Sequence, residues 1–324
     1  MESVQWGIIG CGNVTEVKSG PAFNKVSNSA LVAVTRRDPN KLADYAKRHG
    51  VPMTFLVASD LVQSSAINAV YIATPPDVRE AYALKSMQLG KPVYLEKPMA
   101  LDLAACLRLK KASEDLGVKL SVAHYRRNLP LFMEVKKLLE QGEIGAVKEV
   151  KITMLKKTDC AANDPSNWRI DPVIAGGGYF YDLAPHQIDL IFYFFGKAKS
   201  FSGISSNKAG MYKAEDFVQG TIELENGIIC KGLWDFSIDG DEKDEFLIIG
   251  DKGIIRFPVF GLFIEVEKNG STQKIHFEAP LHNQQNHIQA VVNYFLDKGD
   301  NPCSAEEAIQ SMQVMEAFVY GTKK

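Results

Sequence analysis

Three stretches of this 324-residue chain carry side chains that could do chemistry, and the first is Val93-Tyr94-Leu95-Glu96-Lys97-Pro98. The apolar run from Pro92 to Leu95 reads as a short buried strand, and Pro98 ends it by removing a ladder donor. Glu96 and Lys97 then stand at the strand's carboxyl end, which in an open α/β sheet faces the ligand crevice. A lysine partly buried there has a lowered pKa suited to proton transfer, whereas a surface Lys-Pro turn has no such use. The second stretch pairs Asp182 with His186, four residues apart and therefore on one face of a helix, with Asp189 three further along. A histidine's near-neutral pKa suits it to general acid–base work, although a helical histidine near an aspartate is more often structural. The third stretch is Gly10-Cys11-Gly12-Asn13-Val14-Thr15, directly after the apolar segment Val4 to Ile9. In this G-x-G-x-x-T pattern the first glycine makes a tight turn and the second lets the main chain approach a pyrophosphate at a helix N-terminus. Thr15 in the third place predicts a slightly looser helix–strand contact.

These side chains need elements to hold them. A second strand, Ala30 to Thr35, runs into Arg36-Arg37-Asp38-Pro39. An NAD site places an acid at the end of this strand for the ribose 2′-hydroxyl. Two arginines stand there instead, and guanidinium groups pair with a 2′-phosphate and an adenine face, which points to NADP. Asp38-Pro39 reads as an N-cap with proline at the first helical position, opening a helix from Asn40 to His49. Further βα units follow: a strand Ala69 to Ala73 ending in Thr74-Pro75-Pro76, a helix Val78 to Leu89, the Glu96-Lys97 strand, a helix Leu103 to Leu116, and a strand Lys119 to Ala123. Strands alternating with helices at this spacing predict a parallel, doubly wound sheet. Its crevice-side ends are Gly10–Gly12, Arg36–Arg37, Thr74–Pro75 and Glu96–Lys97.

After His124 the pattern changes. A helix Leu131 to Gln141 leads into a strand from Val147 to Leu155, and from Lys199 onward strands dominate: Phe217 to Leu224, Ile228 to Phe236, Glu245 to Ile249, Gly253 to Phe257, Phe263 to Val266 and Gln273 to Phe277. Asn226-Gly227 and Asn269-Gly270 are hairpin signals. Two helices, Asn283 to Leu296 and Ala305 to Val319, close the chain. The division expected is a dinucleotide-binding domain over 1–123 and an α+β domain with a large, open-faced, mostly antiparallel sheet over 124–324, whose C-terminal helix could pack back on the first domain. Between the two regions lie Asn167-Trp168-Arg169 and the glycine run Gly176-Gly177-Gly178 that leads to Tyr179 and Asp182. Three glycines allow close approach of a ligand or another chain segment.

Composition narrows the functional classes. With 46% hydrophobic and 23% charged residues the chain reads as an ordinary globular protein, and its net charge of −2 gives no footprint for nucleic acid or an acidic membrane. The five cysteines (Cys11, Cys106, Cys160, Cys230, Cys303) are scattered and form no CxxC pair, which argues for a reducing compartment and against a zinc site or disulfide frame. No His-x-x-His or further ligand set accompanies His186, so no metal is expected. The first strand begins within a few residues of Met1, leaving no room for a signal peptide, and the longest strongly apolar run, Leu190 to Phe195, is too short to span a bilayer. The expected location is cytoplasmic.

Taken together, the chain resembles the Gfo/Idh/MocA family of NAD(P)-dependent oxidoreductases along essentially its whole length. The matching marks are Gly10-x-Gly12, Ala73-Thr74-Pro75, Glu96-Lys97-Pro98, Arg127-Asn128-Leu129-Pro130, Trp168-Arg169, and the glycine run leading to Asp182 and His186. The resemblance implies a Rossmann domain followed by an open-faced domain whose sheet forms the interface of a homodimer or homotetramer. It also implies that Lys97, from the first domain, meets Asp182 and His186, from the second, over a nicotinamide. On this reading Gly10, Gly12, Asn13, Val14, Arg36, Arg37, Thr74, Pro75, Glu96, Lys97 and Arg169 bind the cofactor, and Trp168, Tyr179 and Arg126 line the substrate. Arg127 is as readily structural. Three departures stand out: Thr15 in the fingerprint, Arg79 where many members carry histidine, and Arg36 in place of the ribose aspartate. The last is similar to the NADP-preferring branch, with 1,5-anhydrofructose reductase, glucose–fructose oxidoreductase and dihydrodiol dehydrogenase. The expected activity is hydride transfer between NADP (NAD being possible) and a secondary alcohol or carbonyl of a sugar-like or polyol substrate. The alternatives are dihydrodiol- or biliverdin-type reduction, or a dinucleotide-binding regulator without turnover. Substrate choice would rest on loops such as 157–166.

Overall fold

The computed structural model describes residues 1–158, 164 and 166–321; Cys160 and most of the 157–166 loop lie outside the described residues. The amino-terminal half alternates as the apolar runs require: β1 (Val4–Ile9), α1 (Asn13–Val17), β2 (Ser29–Thr35), α2 (Pro39–His49), β3 (Met53–Phe55), α3 (Ala58–Gln63), β4 (Ala69–Ile72), α4 (Arg79–Gln88), β5 (Val93–Leu95), α5 (Leu103–Leu116) and β6 (Leu120–Val122). There follow α6 (Pro130–Glu140), β7 (Val147–Lys157), α7 (Pro172–Ala175), α8 (Tyr179–Phe195) and β8 (Ala198–Ser206). The remaining strands are β9 (Phe217–Leu224), β10 (Ile229–Ile238), β11 (Lys243–Gly250), β12 (Gly253–Phe257), β13 (Phe263–Lys268) and β14 (Ser271–His276), before α9 (Gln285–Phe295) and α10 (Ala305–Tyr320). The chain divides into two compact units, Met1–Leu129 with Pro280–Ile309, and Pro130–Ala279 with the chain from Gln310 onward.

In the first unit six strands form a sheet in the order β3-β2-β1-β4-β5-β6, every pairing parallel. Strands β4, β5 and β6 are buried at every residue, which is why they read as unbroken apolar runs and not as alternations. Helix α2 begins as its sequence predicts: the Asn40 and Lys41 N–H groups both donate to Asp38 Oδ1 at 3.0 Å, Pro39 follows, and Gly50 closes the helix at φ 63°. The edge strand β6 is covered by the chain beyond α9, since Asn301 Nδ2 donates to the Leu120 carbonyl (2.8 Å) and Val122 N–H to the Cys303 carbonyl (3.0 Å).

Helix α9 falls in the first unit, whereas the sequence-based division allowed only the C-terminal helix to return there. Its apolar stripe, Ile288, Val291, Val292 and Phe295, is fully or almost fully buried in one cluster with Val4, Trp6, Ile8, Phe23, Tyr71 and Tyr94. Phe295 lies 5.5 Å from Trp6, and Trp6 lies 4.9 Å from Phe23, ring centre to ring centre. A helical period marks which face is apolar and says nothing of what that face covers.

The second unit holds an eight-stranded sheet ordered β14-β13-β12-β11-β7-β10-β9-β8. The pairing of β7 with β10 is parallel and the other pairings are antiparallel. One face is covered by helices: Phe180 of α8 meets Trp234 edgewise at 5.1 Å, Gln187 accepts from Trp234 Nε1 at 2.6 Å, and Phe132 of α6 meets Phe257 at 5.8 Å. The other face carries the alternate residues, among them Gln219, Thr221, Lys231, Leu233 and Lys151, half-buried or exposed. Both glycine-asparagine turns are hairpins, but only Asn269-Gly270 has positive φ at both residues (54° and 74°); at Asn226-Gly227 Gly227 alone is left-handed. Among the described residues no helix is long and apolar enough to cross a membrane.

Phe295→Ala should destabilise the protein by about 3–5 kcal/mol, the cost of a large cavity in a core. Urea unfolding would measure it, and a loss below about 1 kcal/mol would show that α9 does not seal the core of the first unit.

Candidate active site

The carboxyl edge of the parallel sheet brings several predicted residues side by side. Strand order reverses between β1 and β4, and that is where a doubly wound sheet opens its crevice. Gly10 leaves β1 at φ 89°, and a Cβ there would press on Thr74 Cγ2 at 2.9 Å, so the β1 and β4 ends touch. A Cβ on Gly12 would meet nothing nearer than the Gly10 carbonyl oxygen at 4.0 Å, leaving that side of the turn open to a ligand. Thr15 is buried and its hydroxyl donates to the Gly12 carbonyl at 2.8 Å, tying the turn to α1. Asn13 is exposed and Val14 half-buried beside it. Cys11 is buried, and burial pushes its thiol up to about 11, which keeps it protonated and unreactive.

Arg36 leaves the end of β2 and donates from Nη1 to the Cys11 carbonyl at 3.1 Å, which sets its guanidinium against the glycine turn. Arg37 is exposed. Asp38 spends Oδ1 on the cap of α2, and the Lys41 N–H, with the Asn40 N–H, holds its carboxyl below the ordinary value.

Strand β5 delivers Glu96 and Lys97. Lys97 is half-buried, and Glu96 is 4% exposed. The Glu96 carboxylate accepts from Tyr71 OH and from Gln284 Nε2, both at 2.5 Å, while Gln284 Oε1 accepts from Tyr94 OH at 2.9 Å. Burial, and then the charge of Glu96, raise the Tyr71 and Tyr94 phenols well above their usual value, so both remain donors. Arg79 binds the main chain at the same edge, Nε donating to the Thr74 carbonyl at 2.8 Å and Nη1 to the Glu96 carbonyl at 2.9 Å. Tyr71 and Gln284 were not singled out from sequence, and Arg79 stood out only as a departure from the family's histidine. No local pattern marks their contacts, because their partners are main-chain carbonyls or lie as far as 188 residues away. Arg126 is buried, its guanidinium 5.7 Å from the Tyr125 ring centre. Arg127 is buried on Glu307 at 2.5 Å; burial opposes that carboxyl's ionisation, yet Arg127 holds it below its usual range. This is a structural ion pair.

The second unit gathers the other set. Asn167 caps the turn Trp168–Ile170, accepting from Arg169 N–H at 3.3 Å, and its Nδ2 donates to Tyr179 OH at 3.2 Å. Arg169 lies over the Trp168 ring at 4.6 Å and forms an ion pair from Nε to Asp182 Oδ2 at 3.2 Å. Trp168, Arg169, Asp182 and Tyr179 are thus one cluster. His186 lies one turn after Asp182 on α8, is 5% exposed, and meets the Phe260 ring edgewise at 5.7 Å. Phe260, 43% exposed in the turn between β12 and β13, was also missed from sequence. The glycine run accommodates protein. A Cβ on Gly177 would strike the Tyr181 ring at 2.2 Å, and one on Gly178 would lie 2.8 Å from the Glu215 carbonyl oxygen. Glu215 also accepts the Gly178 N–H at 3.1 Å, and burial raises its carboxyl above the ordinary range. Among the described residues, no group of three or more His, Cys, Asp or Glu could hold a metal ion.

Residues 4–124 match the model of an oxidoreductase family with an NAD-binding Rossmann fold, and residues 132–256 match the GFO/IDH/MocA C-terminal domain. An oxidoreductase of Formosa agariphila is 46% identical over 321 residues, covering 98% of this chain and 99% of that protein. The chain belongs to the Gfo/Idh/MocA oxidoreductase family. The 1,5-anhydro-D-fructose reductase of Ensifer adhaerens is 25% identical over 232 residues, 70% of this chain and 68% of that protein. Among solved structures, the aldose-aldose oxidoreductase of Caulobacter crescentus complexed with glycerol is similar in fold, with a TM-score of 0.85 at 20% identity over 98% of this chain and 96% of that one. Residues 4–124 of the first unit are thus the family's NAD-binding Rossmann domain, and they fit a dinucleotide: Gly12 leaves one side of the turn open, Arg36 reaches the Cys11 carbonyl of the same turn, and the β1, β4 and β5 ends are neighbours in the sheet.

The raised Glu215 carboxyl has a pH consequence. Its contribution to stability is fully present below the unfolded value of 4.5 and is lost as pH rises through the folded value. Glu215→Gln keeps an acceptor for Gly178 without the charge. Its melting temperature should therefore improve relative to the native protein as pH rises above the unfolded carboxyl value. A difference that does not change with pH would show that Glu215 is not ionising against burial.

Proposed function

We propose that the protein is an NADP(H)-dependent oxidoreductase acting on a secondary alcohol or carbonyl of a sugar-like or polyol substrate. The observation that carries this reading is Lys97, half-buried at the carboxyl end of β5 on a sheet edge whose neighbouring ends form the dinucleotide turn. The nicotinamide, when bound, gives or takes the hydride. The chain supplies position and proton chemistry. Lys97 donates a hydrogen bond to the substrate oxygen and stabilises the alkoxide charge that develops on it. His186, buried with its ring against Phe260, is the proposed general acid–base. Asp182, held by Arg169, orients a substrate hydroxyl. Trp168 and Tyr179 belong to the same cluster and line the substrate side. The sugar-like class draws further support from the 1,5-anhydro-D-fructose reductase relative. The preference for NADP rests on Arg36, whose guanidinium stands beside the glycine turn where a ribose acid would stand. The uncovered sheet face, with Leu233 and Thr153 half-buried on adjacent strands, supports assembly of like chains through that face.

The test is a turnover screen of sugars, polyols, inositols and anhydro-sugars with NADP(H) and NAD(H), following nicotinamide absorbance. Lys97→Met should lower turnover at least roughly a hundredfold while cofactor binding persists, the scale of lost electrostatic or acid–base help. A near-native rate in that variant sinks the catalytic assignment. Arg36→Ala should weaken NADPH binding by about ten- to a hundredfold, the worth of a hydrogen bond to a charged group, and leave NADH nearly unchanged. Equal losses for both cofactors would overturn the arginine reading, and activity with NAD only would return the ribose contact to Asp38.

A further inference from the structure

Arg79 is 3% exposed and occupies the first position of α4. A cation at that end of a helix opposes the helix dipole, and burial adds a desolvation cost, so nothing in α4 itself explains it. Its hydrogen bonds do. Nε donates to the Thr74 carbonyl at the end of β4 (2.8 Å), and Nη1 donates to the Glu96 carbonyl (2.9 Å) and to the Pro98 carbonyl. The last two belong to the residues on either side of Lys97. One planar guanidinium therefore holds the Glu96–Lys97 and Pro98–Met99 peptide units, which flank the lysine's own carbonyl, and ties both to the neighbouring strand end. The opposite side is fixed through the Glu96 carboxylate, held by Tyr71 and Gln284.

We infer that Arg79 is a positioning residue for the reaction, clamping the main chain on both sides of Lys97 so that its ammonium is presented in one place. A guanidinium suits the task because its rigid fork of N–H donors reaches several acceptors at once. An ammonium is a single point with rotatable donors, and an imidazole has at most two donors facing opposite ways. The inference rests on Lys97 being catalytic.

Three full-length variants, Arg79→Lys, Arg79→His and Lys97→Met, separate the two ideas. Each is assayed with the first substrate from the screen that turns over, and each is titrated with NADPH by nicotinamide fluorescence. With Arg79→Lys and Arg79→His, kcat should fall about tenfold or more, the scale of a small misplacement of a reacting group. KM and the NADPH dissociation constant should stay within about threefold of native, a split expected when only transition-state contacts are lost. Native kcat in Arg79→Lys and Arg79→His, with Lys97→Met inactive, overturns the clamp alone. Parallel losses in kcat and NADPH affinity overturn it too, because Arg79 would then shape the cofactor turn. Native turnover in Lys97→Met removes the catalytic reading and the clamp with it. If one Arg79 variant fails to fold, the other carries the comparison. If neither folds, Arg79 serves stability and the inference falls.

Discussion

A parallel sheet runs out of strand partners at its carboxyl edge, and everything proposed for the first unit depends on how that edge is satisfied. Past Ile9, Ile72 and Leu95 the main chain turns away from the ladder and its carbonyls need new donors. Two buried polar groups supply the solution on β4 and β5. Arg79 takes carbonyls from both strand ends, and Glu96 turns its carboxylate inward onto Tyr71 and Gln284. A charged group costs several kcal/mol to bury and is tolerated only when its hydrogen bonds are made. Such a network is rigid, because loosening one member leaves another unsatisfied. The lysine between these anchors inherits that rigidity without being buried itself.

The second unit meets its own constraint in another way. Helix α8 must begin where Gly178 lies against the Glu215 main chain and Gly177 lies under Tyr181, so the glycines serve close packing of protein on protein. The start of α8 fixes the helical phase of Asp182 and His186. Their spacing puts them on one side, and Arg169 with Phe260 then define what that side faces. Pro185 lies between them inside the helix, where it removes a main-chain donor.

Strands and helices were legible where one force decided them. The buried strands β4 and β5 read as unbroken apolar runs, α2 announced its start through Asp38-Pro39, and β13–β14 announced its turn through Asn269-Gly270. Short or weakly patterned pieces were not: β3, α3 and β8 received no bounds from the sequence, because three to nine residues of mixed character satisfy no single period. The place of α9 was hidden for a different reason, since its partner is chosen by shape complementarity with Trp6 and Phe23. The chemistry divides likewise. Lys97, Asp182 and His186 stand out by type and spacing, whereas Arg79, Tyr71 and Gln284 act through contacts that only a folded chain creates.

The contrast between Arg36 and Asp38 is the physical ground of the proposed preference for NADP. Either residue stands close enough in sequence to the end of β2 to read a ribose. Asp38, however, has two N–H groups of α2 on one oxygen, and uncapping a helix costs about 1 kcal/mol. The adjoining Pro39 fixes the chain direction at the first helical position, so the carboxylate is directed onto α2. Arg36, two residues earlier, is directed onto the Cys11 carbonyl of the glycine turn instead. The guanidinium that reaches this carbonyl acts on the Asp38 carboxyl and still has donors left for an anionic charge brought by a ligand. A phosphate on the ribose supplies such a charge, and a bare hydroxyl does not.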